Sequence, residues 1–66
     1  MKDLMKRYTE VRFALYVKKG FGDHQAAIAS NYAAMDMANE LKQFAKGCEE
    51  QYLRDEVEHL EKFLAA

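Results

Sequence analysis

The chain contains no proline, and its only closely spaced glycines are Gly20 and Gly22. A backbone without proline keeps every N–H donor, so glycine is left as the main residue able to end a helix. Gly20-Phe21-Gly22-Asp23 is therefore the strongest expected break. β-Branched residues are few: three Val, one Ile and one Thr, against ten Ala, six Leu and four Met. That balance favours helix over strand. The expected fold class is all-α: a small three-helix bundle, or a helical hairpin plus a third helix, completed by dimerisation. With 66 residues the chain is expected to form one helical domain over 1–66. A domain of this size buries only about 60% of its unfolded surface.

Helices are expected at about 3–19, 23–46 and 49–64. Gly20 suits the left-handed position that closes a helix, with Lys18 and Lys19 well placed against the C-terminal dipole. Phe21 would then fold back onto Tyr16 or Val17. Asp23 is expected to cap the second helix through its carboxylate. Gly47 is the weaker stop, because a lone glycine costs only about 1 kcal/mol inside a helix. A continuous helix from Asp23 to Leu64 is the alternative.

Helix 1 has a stripe at Met1, Leu4, Tyr8, Val11 and Leu15, spaced as one helical face and expected to be core. Phe13 and Val17, four residues apart, would then point outward. Helix 2 carries seven of the ten alanines. Ala27, Ala34, Ala38, Leu41 and Ala45 share a face that permits close helix approach. Ala26, Ala33, Met37 and Phe44 widen it, and Ser30 is expected to serve as another small packing residue. Ile28, Tyr32 and Met35 recur on the other side. Apolar on more than one face, helix 2 reads as the central helix. Helix 3 has a core stripe at Leu53, Val57, Leu60 and Leu64, and a mixed stripe at Tyr52, Glu56, His59 and Phe63.

Charge separates along the chain. Residues 1–20 are net +4, residues 21–48 net −1 and residues 49–66 net −4. The first segment should attract the third, within one chain or between chains. The overall charge of −1 gives no global field toward nucleic acid or anionic lipid. Cys48 is the only cysteine, so no internal disulfide is expected, which suits a reducing cytoplasm. No apolar run approaches the roughly 20 residues of a membrane span, and residues 1–7 do not read as a signal peptide; no membrane contact is expected.

Catalytic motifs are absent. No phosphate-cradling loop, cysteine pair or nucleophile elbow occurs, and no cofactor is expected. Glu56-Val57-Glu58-His59 resembles the Glu-x-x-His motif of ferritin-like di-iron proteins. That resemblance implies a metal-binding helical dimer through Glu56 and His59, with Glu10 or Glu40 supplying further ligands. The chain has one copy of the motif where those proteins use two, so no metal is expected. A second alternative is nucleic-acid binding through basic helix 1. Its Lys and Arg residues are spread around the helix, and no helix-turn-helix spacing follows.

The main functional expectation comes from surplus apolar surface. Phe13, Val17, Phe21, Ile28, Tyr32 and Met35 exceed what a three-helix monomer can bury. In a hairpin turning at Gly20–Gly22 they could form one patch with the composition of an interface core. The chain is thus expected to be a non-enzymatic interaction module of regulator, adaptor or inhibitor type. Its partner would be another protein or its own copy.

Overall fold

The computed structural model describes all 66 residues. It is all-helical: α1 (Lys2–Lys18), α2 (Asp23–Leu41) and α3 (Glu49–Ala65). The molecule measures 37 × 24 × 17 Å. Its thinnest dimension is close to two packed helices, which lie about 8–10 Å apart between axes.

The first break forms for the reasons of glycine chemistry. Gly20 has φ +104, a conformation that costs L-residues other than glycine about 1–2 kcal/mol. The Gly20 N–H donates to the Val17 carbonyl at 3.0 Å and the Phe21 N–H to the Tyr16 carbonyl at 3.0 Å. These two bonds close the end of α1 as a Schellman motif. The apolar contact that accompanies the motif is present too: the Tyr16 and Phe21 rings stack with centroids 5.2 Å apart. The start of α2 differs from expectation. Gly22 occupies the N-cap position and no side chain caps the helix. Asp23 is the first helical residue, where its charge still favours the N-terminal dipole.

The second break is real, and it comes earlier than Gly47. α2 ends at Leu41 rather than at 46. Beyond it the backbone tightens: Lys42, Gln43 and Phe44 donate to carbonyls three residues back, at 3.3, 3.1 and 3.2 Å. This tighter winding accompanies a ring contact of Phe44 with Tyr52, centroids 4.5 Å apart. Gly47 then takes φ +94, and its N–H donates to the Glu49 carboxylate at 3.0 Å. The chain thereby reverses into α3.

The core is one cluster. α1 contributes Leu4, Tyr8, Val11 and Leu15, α2 contributes Met37 and Leu41, and α3 contributes Leu53, Val57 and Leu60. The expected stripes of α1 and α3 are therefore the buried ones, except that Met1 is exposed and Leu64 is half-buried. α2 is turned by about one residue from expectation. Its inward face is Ala26, Ser30, Met37 and Leu41, with Ala33 packed alongside, while Ala38 and Ala45 are exposed. Alanine gains little from burial, so the large side chains Met37 and Leu41 set the rotation. Ser30 is 2% exposed, and its hydroxyl donates to the Ala27 carbonyl at 3.0 Å. It is the small packing residue expected.

The central helix is α1, not α2. Both other helices pack mainly on α1, and they meet each other far less. Charge contributes to this arrangement within the single chain. The Arg7 guanidinium donates to both Glu61 carboxylate oxygens, at 2.9 and 2.5 Å. Lys18 Nζ donates to the Leu64 carbonyl at 3.0 Å, a cation on the last carbonyls of α3. The hydrogen bond from Arg7 holds the Glu61 carboxyl below its ordinary value.

Gly20 supplies a clean test of the hairpin. A Cβ added there would meet nothing within 4 Å, so the cost of Gly20→Ala is that of the backbone angle alone. The variant should lose about 1–2 kcal/mol of stability, read by urea denaturation. An unchanged midpoint would mean that the turn takes another conformation in solution.

Candidate functional site

α2 lies on α1 through small residues and leaves its opposite side bare. Ile28, Tyr32 and Met35 are 45%, 63% and 60% exposed. Together with Asn31 they line one shallow hollow on the outer face. These three expected interface residues are thus brought together. Phe13 is not outward. It is half-buried in a groove between α1 and α2, beside Thr9, Ala27 and Asn31. Its burial follows from the rotation of α2, which sets Ala27 and Ser30 against the flank of α1. Asn31 borders both the groove and the outer hollow, so Phe13 remains adjacent to the apolar face. Phe21 is partly exposed at the hairpin end, stacked on Tyr16. Val17 is exposed on the last turn of α1.

A second feature escapes the periodicity of any one helix. Because α2 and α3 both rest on α1 without closing on each other, a cleft of about 510 Å³ opens between them. All four tyrosines of the chain line it: Tyr8 and Tyr16 from α1, Tyr32 from α2 and Tyr52 from α3. Arg12, Asp36, Glu40 and Glu56 supply its charges. Tyr32 forms the ridge between cleft and outer hollow, since it lines both. α1 and α2 each contribute three of these residues and α3 two, so no single helix shows the whole cleft. The signal available beforehand was the run Tyr8, Arg12, Tyr16, at four-residue spacing on one helix face.

The polar groups of the cleft are partly paired. Arg12 Nε donates to the Tyr8 hydroxyl at 2.9 Å, and the guanidinium lies 5.3 Å from the Tyr8 ring centroid. Burial works against the Arg12 charge. Its hydrogen bond to Tyr8 and the fields of Tyr8, Tyr16 and Glu56 outweigh that and leave the guanidinium above its ordinary value. The Tyr52 hydroxyl donates to Glu40 Oε1 at 2.5 Å. That bond stabilises the protonated phenol, and with desolvation and the Glu40 and Glu56 charges it raises Tyr52 above the ordinary tyrosine value.

The alternative site residues separate. Glu56 is half-buried at the cleft, whereas His59 is exposed and does not line it. No group of three or more His, Cys, Asp or Glu side chains comes together with metal-ligand geometry. On α1, Arg7 is held by Glu61, Arg12 by Tyr8, and Lys18 by the end of α3. Cys48 is exposed at the N-cap of α3. No helix is long and apolar enough to cross a membrane. No protein-family model, curated protein or solved structure matches the chain.

The Tyr52–Glu40 bond has a measurable consequence. In a spectrophotometric tyrosinate titration, one of the four phenols should ionise later than the ordinary value of about 10. Glu40→Gln removes the accepting carboxylate and its charge, and should bring Tyr52 back toward the ordinary tyrosine value. Superimposable titrations of the two proteins would show that the bond does not hold in solution.

Proposed function

We propose that the chain is a small, non-enzymatic protein-interaction module that works through the outer face of α2. The carrying observation is that Ile28, Tyr32 and Met35, three large side chains more than two-fifths exposed, surround one hollow on the side of α2 opposite its buried stripe. Single exposed apolar residues are ordinary; a contiguous set is the mark of a surface that something else covers. Phe13 borders this face through Asn31, while Phe21 and Val17 are exposed at the hairpin end. Tyr and Met are enriched in interface cores. The partner is another protein or a second copy of the chain. A regulator, adaptor or inhibitor acts in this way, by occupying a surface.

The opposite charges of α1 and α3 lend no separate support to self-association, because Arg7 pairs with Glu61, and Lys18 with the Leu64 carbonyl, within the chain. The apolar face carries the proposal alone. It also separates interface from fold. Val57 and Leu53 are fully buried, and truncating such a residue typically costs about 2–5 kcal/mol. A domain of this size has only about 3–10 kcal/mol to lose. Truncations on the outer face of α2 should cost the fold about 0.5 kcal/mol or less.

Tyr32→Ala and Ile28→Asp test the proposal against Leu53→Ala. Both outer-face variants should keep the native melting temperature to within a few degrees, while weakening association by roughly 2 kcal/mol or more. Sedimentation across micromolar concentrations reads self-association, and capture with native and Ile28→Asp baits reads a different partner. Unchanged association with a collapsed melt in Tyr32→Ala and Ile28→Asp would make these residues core and refute the proposal.

A further inference from the structure

The tyrosine cleft has a chemistry of its own, different from that of the apolar outer face. We propose that it docks a short basic helix of a partner protein, seating lysine or arginine side chains among the tyrosine rings and carboxylates. This extends the interaction-module reading, and it rests on residues that, Tyr32 apart, lie outside the α2 outer face.

Shape is the first argument. α2 and α3 flank α1 and have few contacts with each other, the Tyr52–Glu40 bond joining them near the C-terminal end of α2, so the cleft occupies the place where a further helix would complete the packing. Its α2 wall runs from Ala29 to Glu40. At about 1.5 Å per residue that wall is roughly 16 Å long, or three helical turns. The open side accepts an elongated occupant rather than enclosing a small molecule.

Charge decides the sign of that occupant. Asp36, Glu40 and Glu56 face the cleft against the single cation Arg12. Arg12 is already hydrogen-bonded to Tyr8, and neither salt bridge of the molecule involves Asp36 or Glu56. Glu40 accepts from Tyr52. An acidic segment would meet three like charges, whereas a basic one finds two carboxylates outside any ion pair. Opposite charge at an interface also raises the rate of encounter.

The rings supply the remaining specificity. Tyrosine faces attract ammonium and guanidinium groups, and the aliphatic stems of Lys and Arg pack on aromatic surface while their charged ends reach polar partners. Tyrosine is also among the side chains on which binding energy concentrates.

The protein carries its own reporter. There is no tryptophan, and all four tyrosines line the cleft, so intrinsic tyrosine fluorescence reads this region. The probe is a short amidated amphipathic peptide of Leu, Ala and Lys, titrated into the full chain at low ionic strength. We expect a saturable fluorescence change, at least about tenfold weaker in affinity for Asp36→Asn/Glu56→Gln, with helicity of the variant checked by circular dichroism. The same peptide with Glu in place of Lys should not bind. Met35→Asp, outside the cleft, should leave the affinity unchanged. Equal affinity for the native and double-variant proteins, equal binding of the Glu peptide, or no saturation by millimolar peptide overturns the proposal. Loss of binding in Met35→Asp alone places the peptide on the outer face of α2. That outcome overturns the cleft and leaves the interaction module standing. Peptide binding at the cleft together with intact association in Ile28→Asp would leave the cleft standing and overturn the outer face of α2 as the interface.

Discussion

Everything in this molecule depends on α1 being shared. A chain of 66 residues can close one hydrophobic cluster, and Leu4, Tyr8, Val11 and Leu15 are the surface that both remaining helices cover. α2 meets α1 through a hairpin locked by Gly20. α3 meets it through Leu53, Val57 and Leu60, with Arg7–Glu61 and Lys18 holding the exposed edges. Once both contacts are made, α2 and α3 meet little beyond the Tyr52–Glu40 bond. The two proposed interaction surfaces follow from that arrangement: a bare outer face on α2 and an open cleft between α2 and α3.

Two kinds of polar satisfaction accompany this economy. Inside, Ser30 bonds its own helix, and no buried side-chain nitrogen or oxygen lacks a partner. At the cleft, Tyr8 and Tyr52 hold Arg12 and Glu40, while Asp36 and Glu56 stay outside any ion pair. Buried polar groups that are satisfied define a unique core.

Much of the fold was legible because large apolar side chains carry strong periodic information. The stripes of α1 and α3 are built from Leu, Val and Tyr, and the structure buries most of them. The Schellman close at Gly20, down to the Tyr16–Phe21 contact, follows from a single glycine with an aromatic residue behind it. α2 was harder to read because alanine occurs on most of its sides. Burial of a methyl group distinguishes those sides weakly, so Ala27 and Ala38 resembled a face as much as Ala26 and Ala33 do. That ambiguity turns the expected helix by about a residue and makes α2 look central; Phe13, outward by the stripe of α1 alone, is half-buried because α2 lies against that flank. The end of α2 at Leu41 was concealed as well, because no breaker precedes Gly47. Among the expected interface residues, Ile28, Tyr32 and Met35 share a hollow because they recur on one helix. The tyrosine cleft draws on three helices, and no single-helix pattern contains it.

In the proposed assembly, the outer face of α2 is spare in the monomer and covered by the partner. Methyl-resolved NMR with a soluble paramagnetic probe measures this directly. In dilute protein, shown by sedimentation to be monomeric, the methyl groups of Ile28 and Met35 should broaden strongly, while those of Leu53 and Val57 remain sharp. On association, with partner or with a second copy, the Ile28 and Met35 signals should become protected. Protected Ile28 and Met35 methyls in the dilute monomer would place this face inside the fold and contradict the account.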